Sequence, residues 1–209
     1  MQKIMFSEKF GLQQAVLNGS KTMTRRTEPS LAQLPDHLND EEYFVQTIRE
    51  DSILMERCYK GAKLSSWVIR PRFHLFEKIA VAQRYADIIA YHASVYTPHS
   101  HDWMREEKGW SNKMYVKADL MPHQIEITDY RIERMQYITE EDCMKEGIME
   151  GEFMNTWDRY YYDVWGDVPN HITFYDPKKA FQSLIRNISG NKAWESNPYV
   201  LVYSFRLVK

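Results

Sequence analysis

Cysteine is scarce in this chain. Only Cys58 and Cys143 occur in 209 residues, too few for a disulfide framework, and the sequence reads as a reduced, cytoplasmic protein. Long apolar runs are missing as well. The longest fall far short of the roughly 18 residues of a membrane span, and residues 1–6 carry no extended apolar core of a signal peptide. No membrane partner is expected. Neither sign of charge dominates: the net is −2, which argues against a protein that coats nucleic acid by charge alone. No internal repeat, low-complexity tract or regular βαβ spacing occurs. Strands interspersed with short helices then point to one α+β domain over residues 1–209, with a mostly antiparallel sheet or small barrel.

The charge that is present is unevenly placed. Residues 1–35 hold five cations and two acids, whereas residues 140–170 hold nine acids and two cations. An anionic ligand should prefer the N-terminal end. Aromatic residues make up 14% of the chain, with six Trp and fourteen Tyr. Stacking on bases is one use for such rings, and packing in the core and rim is the commoner one.

Along the chain, residues 4–6 read as a strand. Ser7 then reads as a helix N-cap with Glu8 in the first turn. Leu12, Ala15 and Val16 form the apolar face of that helix, and Gly19 ends it. Residues 28–40 are turn-rich. Residues 41–58 keep a rough 3.6 period and predict a helix closed by Gly61. Strands are expected at 66–69 and 78–85, a long loop over 91–113, and an extended segment at 114–117. Residues 125–135 alternate with a phase slip near Asp129, the pattern of a long strand with a bulge. Thr139 followed by Glu140, Glu141 and Asp142 is a helix start, with the stop at Gly147. Residues 151–175 are aromatic and acidic, with partial helix expected. Asp176 and Pro177 open another helix, and residues 199–208 form a final strand.

One stretch concentrates chemistry: Gly19, Ser20, Lys21, Thr22, Met23, Thr24, Arg25, Arg26. Lys21, Thr22, Arg25 and Arg26 offer donors to phosphate or to a carbonyl-bearing base. Thr24 is a candidate nucleophile and Lys21 its candidate base, if burial and the neighbouring arginines lower the lysine pKa. A basic surface loop is the plain alternative. In a regular strand Lys21 and Thr24 would point to opposite faces, so a shared site requires a turn. Glu146 is the second candidate. It stands at the end of the 140–146 helix, where the dipole disfavours an acid. Burial there would suit a general acid, whereas a solvated Glu beside Lys145 would do nothing.

Other groups carry less. His99, His101 and Asp102 lack a third spaced ligand, so no metal and no cofactor are expected. Cys143 reads as a buried structural thiol. Trp103, Trp110, Tyr115 and Trp157 could stack on a base or form the seam of an insertion, and the seam is favoured for most of them.

With these residues in place, the chain resembles the ASCH domains, relatives of the PUA-like RNA-binding barrels. Gly19, Lys21, Thr24 and Arg26 match the G-x-K-x-x-T-x-R signature of that family. Residues 125–147 and 194–205 are similar to its later strand, helix and final strand. The arrangement is most similar to long members of phage or prophage type. The resemblance covers roughly residues 1–30, 60–90 and 112–209, with insertions near 31–60, 91–111 and 151–175. It implies a PUA-like barrel with a cationic cleft for RNA or a modified nucleoside. In one branch of the family, which removes the acetyl group from acetylcytidine, the active Lys, Thr and Glu fall on Lys21, Thr24 and Glu146. The expectation is therefore a binding module for RNA or a modified nucleoside, with an amidohydrolase as the alternative. A phage structural or regulatory module that binds protein is the weaker third reading.

Overall fold

A computed structural model of the chain describes residues 1–92, 102–152, 159–162 and 173–208. The chain begins with β1 (Lys3–Ile4), α1 (Leu12–Leu17) and β2 (Met23–Arg26). A three-stranded unit follows, made of β3 (Glu42–Ile48), β4 (Ile53–Tyr59) and β5 (Ala62–Ile69). Next come β6 (Lys78–Val81), α2 (Tyr85–His92), β7 (Gln124–Arg134) and α3 (Glu140–Lys145). A small antiparallel sheet of β8 (Met149–Glu152), β9 (Arg159–Tyr162) and β10 (Thr173–Phe174) precedes α4 (Pro177–Ser189), α5 (Asn191–Glu195) and β11 (Tyr199–Leu207). The fold is α+β.

The central sheet runs β1-β6-β7-β11-β2. Its β1–β6 pair is parallel and the rest are antiparallel. The long β7–β11 ladder is the spine. It carries Ile125, Ile127, Tyr130, Ile132, Val200, Leu201, Val202 and Tyr203, all nearly inaccessible. The ladder shifts register where Asp129 opposes Ser204 and Ile127 opposes Phe205. Thr128 is the extra residue, which accounts for the slip in alternation near Asp129.

The sheet does not close through backbone hydrogen bonds between β1 and β2 among the described residues. Side chains span the seam instead. Arg26 Nη2 donates to the carbonyl of Met5, just past β1, at 2.8 Å. The rings of Phe6 and Phe205 meet at 5.7 Å between centroids.

Residues 41–58 are the largest departure from the expected elements: they form the β3–β4 hairpin, not a helix. Arg49 N–H bonds to the Ser52 carbonyl at 2.8 Å and closes the turn. Phe44, Gln46 and Ile48 then face one side, opposite Arg57, Met55 and Ile53. The helical reading rests on Tyr43, Phe44, Thr47 and Ile48, whose rough 3.6 spacing puts them on both faces of the strand, and tertiary docking overrides it. The docking is visible at Gln46. Its amide donates to the Ile132 carbonyl at 2.6 Å and accepts from the Ile132 N–H at 2.9 Å. It supplies to β7 the backbone partner that β6, pairing only with residues 124–126, does not reach.

Smaller differences have local causes. α1 starts at Leu12 after Gly11 at φ +63°, so Ser7 is no N-cap; its carbonyl accepts from the Gln13 N–H. The strand expected at 78–85 stops at Val81, and Tyr85 opens α2. Residues 113–115 form a 3-10 turn in place of the expected extended segment, because the Asn112 side chain accepts from the Met114 N–H. The helices opening at Thr139 and Asp176 are as expected, each with its cap hydrogen bond. Asp102, Trp103 and Trp110 belong to the segment around Tyr85, where Trp103 meets the Tyr85 ring edge-on. His99, His101 and Trp157 lie outside the described residues. No helix among those described is long and apolar enough to cross a membrane.

Candidate functional site

The site begins with how α3 ends. Gly147 stands at φ +101°. The Ile148 N–H bonds to the Cys143 carbonyl and the Gly147 N–H to the Met144 carbonyl, at 3.1 and 3.0 Å. This is a Schellman ending, which glycine favours because it carries no Cβ penalty in left-handed backbone. It makes Glu146 the helix C-cap. A Cβ on Gly147 would lie 3.3 Å from Leu12 and 3.6 Å from Lys21, so the loop after α1 packs directly on this end.

That loop satisfies the open carbonyls of α3. The Thr22 N–H donates to the Lys145 carbonyl at 2.9 Å. The Lys21 ammonium donates to the Glu146 carbonyl at 2.6 Å and to Glu146 Oε2 at 2.7 Å. A cation at a helix C-terminus suits the dipole, and here it also neutralises the acid that the dipole disfavours. Lys21 is 2% exposed and Glu146 4%. The solvated Glu beside Lys145 is therefore excluded; Lys145 pairs instead with Glu141 at 2.6 Å.

Arg25 holds the other carboxylate oxygen, with Nη1 3.1 Å from Glu146 Oε1. Its remaining nitrogens bond to Glu133 and Asp142. Arg131 completes the ring by pairing with the same two acids. Strand register explains the gathering: Arg25 opposes Val202, and Val202 opposes Arg131. Arg25, Arg131 and Glu133 thus share one sheet face, while α3 brings Asp142 from above. The Arg25 guanidinium also lies 5.8 Å over the Phe181 ring of α4.

Lys21, Thr24, Arg25, Arg26 and Glu146 line one cleft of about 680 Å³. The cleft lies at the free edge of β2, which admits side chains from both faces of the strand. Lys21 lies in the loop before β2, with its N–H bonded to the Ala15 carbonyl at 2.9 Å, so strand alternation does not separate it from Thr24. Thr22 does not line the cleft; its backbone serves the α3 cap. The Thr24 hydroxyl makes no hydrogen bond among the described residues, and the Lys21 amine contacts Glu146 rather than Thr24. Leu184, Ile185 and Ile188 of α4, with Pro198, add an apolar wall.

The electrostatics follow from burial. Desolvation pushes the Lys21 amine below the usual lysine range; Glu146 opposes that shift, while Arg26 and Arg25 reinforce it. For Arg25, burial opposes the charge, but Glu146, Glu133 and Asp142 outweigh it and raise the pKa. Burial pushes the Cys143 thiol up to about 12, as expected for a structural cysteine rather than a nucleophile.

Sequence reasoning missed Arg72, Glu28 and the Arg131, Glu133, Asp142 set. Arg131 and Glu133, two residues apart in a strand, were readable as one face. Arg72 follows Pro71 in an irregular segment and gives no local signal. No family model, curated protein or solved structure matches the chain.

Proposed function

We propose that the cleft binds a modified nucleoside and hydrolyses an N-acyl group from it, with Thr24 as nucleophile, Lys21 as base and Glu146 as acid. The observation that carries this reading is the convergence of the three groups on one cleft, with the buried Lys21 amine hydrogen-bonded to the Glu146 carboxylate at 2.7 Å. The resemblance to ASCH domains, with their PUA-like barrel, supports it.

The reaction requires one proton to sit on Glu146 and the Lys21 amine to be neutral. Transfer along their hydrogen bond makes that state, and the low-dielectric surroundings lower its cost because they penalise the charged pair. Arg25 Nη1 holds the other carboxylate oxygen at 3.1 Å and fixes the orientation of the group. The Thr24 oxygen then attacks the acyl carbon and its proton passes to Lys21. The Lys21–Thr24 contact forms in the complex, as catalytic contacts commonly do. The tetrahedral intermediate collapses, the C–N bond breaks, and Glu146 protonates the leaving exocyclic amine. The Thr24 ester remains. Water attacks it, giving its proton to the Glu146 carboxylate, and the departing Thr24 oxygen regains a proton from Lys21. The starting state is restored and a carboxylic acid leaves.

The test is incubation with N4-acetylcytidine, following release of acetate, beside Lys21→Ala and Thr24→Val. Turnover well above both variants is expected. Binding without turnover would leave a nucleoside- or RNA-binding module, and no interaction at all would end both readings.

A further inference from the structure

Two guanidinium groups in the cleft take no part in the proposed chemistry. Arg26 spends Nη2 on the Met5 carbonyl and stacks 5.6 Å over the Phe6 ring. Its Nε is buried and has no acceptor among the described residues. A buried donor without a partner costs free energy and calls for a reason. Arg72 is exposed, lies 5.3 Å over the Phe73 ring, and its guanidinium has no acid partner among the described residues.

The nearby acids do not supply the missing charge. Glu28 Oε1 accepts from the Tyr203 hydroxyl at 2.5 Å, and Oε2 accepts from the backbone N–H of Arg72 at 3.1 Å. Both oxygens are held by neutral donors, and neither bonds to a guanidinium. Glu146 is already shared by Lys21 and Arg25. Arg25 is paired with Glu133 and Asp142 as well, which leaves Arg26 and Arg72 as the cleft cations without a carboxylate ion pair among the described residues. Burial, with the Arg72 charge nearby, disfavours the Arg26 cation, while Glu146, Tyr203 and Glu28 act the other way.

We infer that Arg26 and Arg72 form an anion subsite for a phosphoryl group, so that the ligand of this cleft is phosphorylated. Forked guanidinium donors match phosphate oxygens, and a tetrahedral anion can serve two such forks at once. The identity of the rest of the ligand rests on the nucleoside reading above; the anion subsite does not. The phosphoryl group is either the terminal monoester of a mononucleotide or a diester of an RNA strand.

Calorimetric titration with inorganic phosphate, cytidine, cytidine 5′-monophosphate and a cytidine trinucleotide without terminal phosphates tests this. The proteins are the full chain and its Arg72→Ala, Arg26→Lys and Arg206→Ala variants. The monophosphate or the trinucleotide should bind at least about tenfold more tightly than cytidine at low salt. That advantage should shrink to under about threefold in Arg72→Ala and persist in Arg206→Ala, which alters an exposed arginine paired with Glu126 outside the cleft. Arg26→Lys keeps the charge but loses the fork, and should also reduce it. Whichever phosphorylated probe binds more tightly identifies the source. Equal binding of cytidine and both phosphorylated probes overturns the subsite and leaves the nucleoside reading standing. Phosphate binding that depends on Arg72 while cytidine fails to bind supports the subsite and removes the nucleoside. No binding of any phosphorylated probe or of phosphate, or an advantage untouched by both variants, overturns the proposal.

Discussion

The Lys21 ammonium makes two hydrogen bonds to one residue, Glu146: 2.6 Å to its carbonyl and 2.7 Å to its carboxylate. A single side chain thus caps α3 and neutralises the acid at its end. Burial sets the pH behaviour of the pair. The folded state holds the Lys21 pKa below the ordinary 10.5, so between the two values the unfolded chain binds more protons at this site. Stability at this site therefore rises with pH up to about 10.5. In urea denaturation from about pH 8 to 10, the native protein should gain stability relative to Lys21→Met. Equal slopes for the two would remove the depressed lysine.

Arg25 is held by three carboxylates, and this governs what its replacement does. Arg25→Ala leaves Glu133, Glu146 and Asp142 facing one another in a buried region. The loss should be about 3–5 kcal/mol, the usual cost of breaking a buried pair from one side. Arg25→Lys retains the charge but reaches fewer oxygens and should lose about 1–3 kcal/mol. If both variants melt like the native protein, the network is not holding the site together.

The sequence made parts of this legible for physical reasons. Caps are local, so Thr139 and Asp176 announced their helices through side chains that bond two or three residues ahead. The β7–β11 ladder was legible through alternation, including its bulge. The β3–β4 hairpin was not, because Tyr43, Phe44, Thr47, Ile48, Ile53 and Leu54 mimic a helical period and the deciding contact, Gln46 to Ile132, spans 86 positions. The site divides the same way. Lys21, Thr24 and Glu146 stood out by residue type and placement. Arg72 did not, because nothing local distinguishes it from a surface arginine.

Gly147 should tolerate no side chain. Its positive φ is strained for any L-residue, and a Cβ would meet Leu12 at 3.3 Å. Gly147→Ala should lose about 1–2 kcal/mol from backbone strain, and it should shift the Leu12 and Lys21 resonances in an NMR spectrum because the new methyl crowds Leu12 and comes into van der Waals contact with Lys21. An unchanged melting temperature would show that the α3 ending is not tightly defined.

Gln46 carries two hydrogen bonds to one residue of β7. Gln46→Leu leaves the Ile132 N–H and carbonyl without these partners, for a loss of about 1–3 kcal/mol. Hydrogen exchange is the sharper measure. The Ile132 amide should exchange much faster in the variant, while amides of the β7–β11 ladder on the far edge of β7 stay protected. Uniform acceleration across β7 would mean the hairpin is integral to the whole sheet.

Thr24 separates a catalytic site from a structural one. Its hydroxyl makes no hydrogen bond among the described residues, so removing it breaks nothing in the fold. Thr24→Val keeps the shape and the β-branched backbone preference of a strand residue paired with Tyr203. Its stability should stay within about 1 kcal/mol of the native protein, while deacetylation falls by at least about a hundredfold, since the nucleophile is gone. Thr24→Ser should keep measurable turnover and trap the same acyl ester, visible as an added acyl mass on the intact protein. Undiminished turnover in Thr24→Val would shift the attack to a water held by Lys21 and Glu146. A large loss of stability in Thr24→Val would instead make the hydroxyl part of the fold and take away the argument from its unpartnered state.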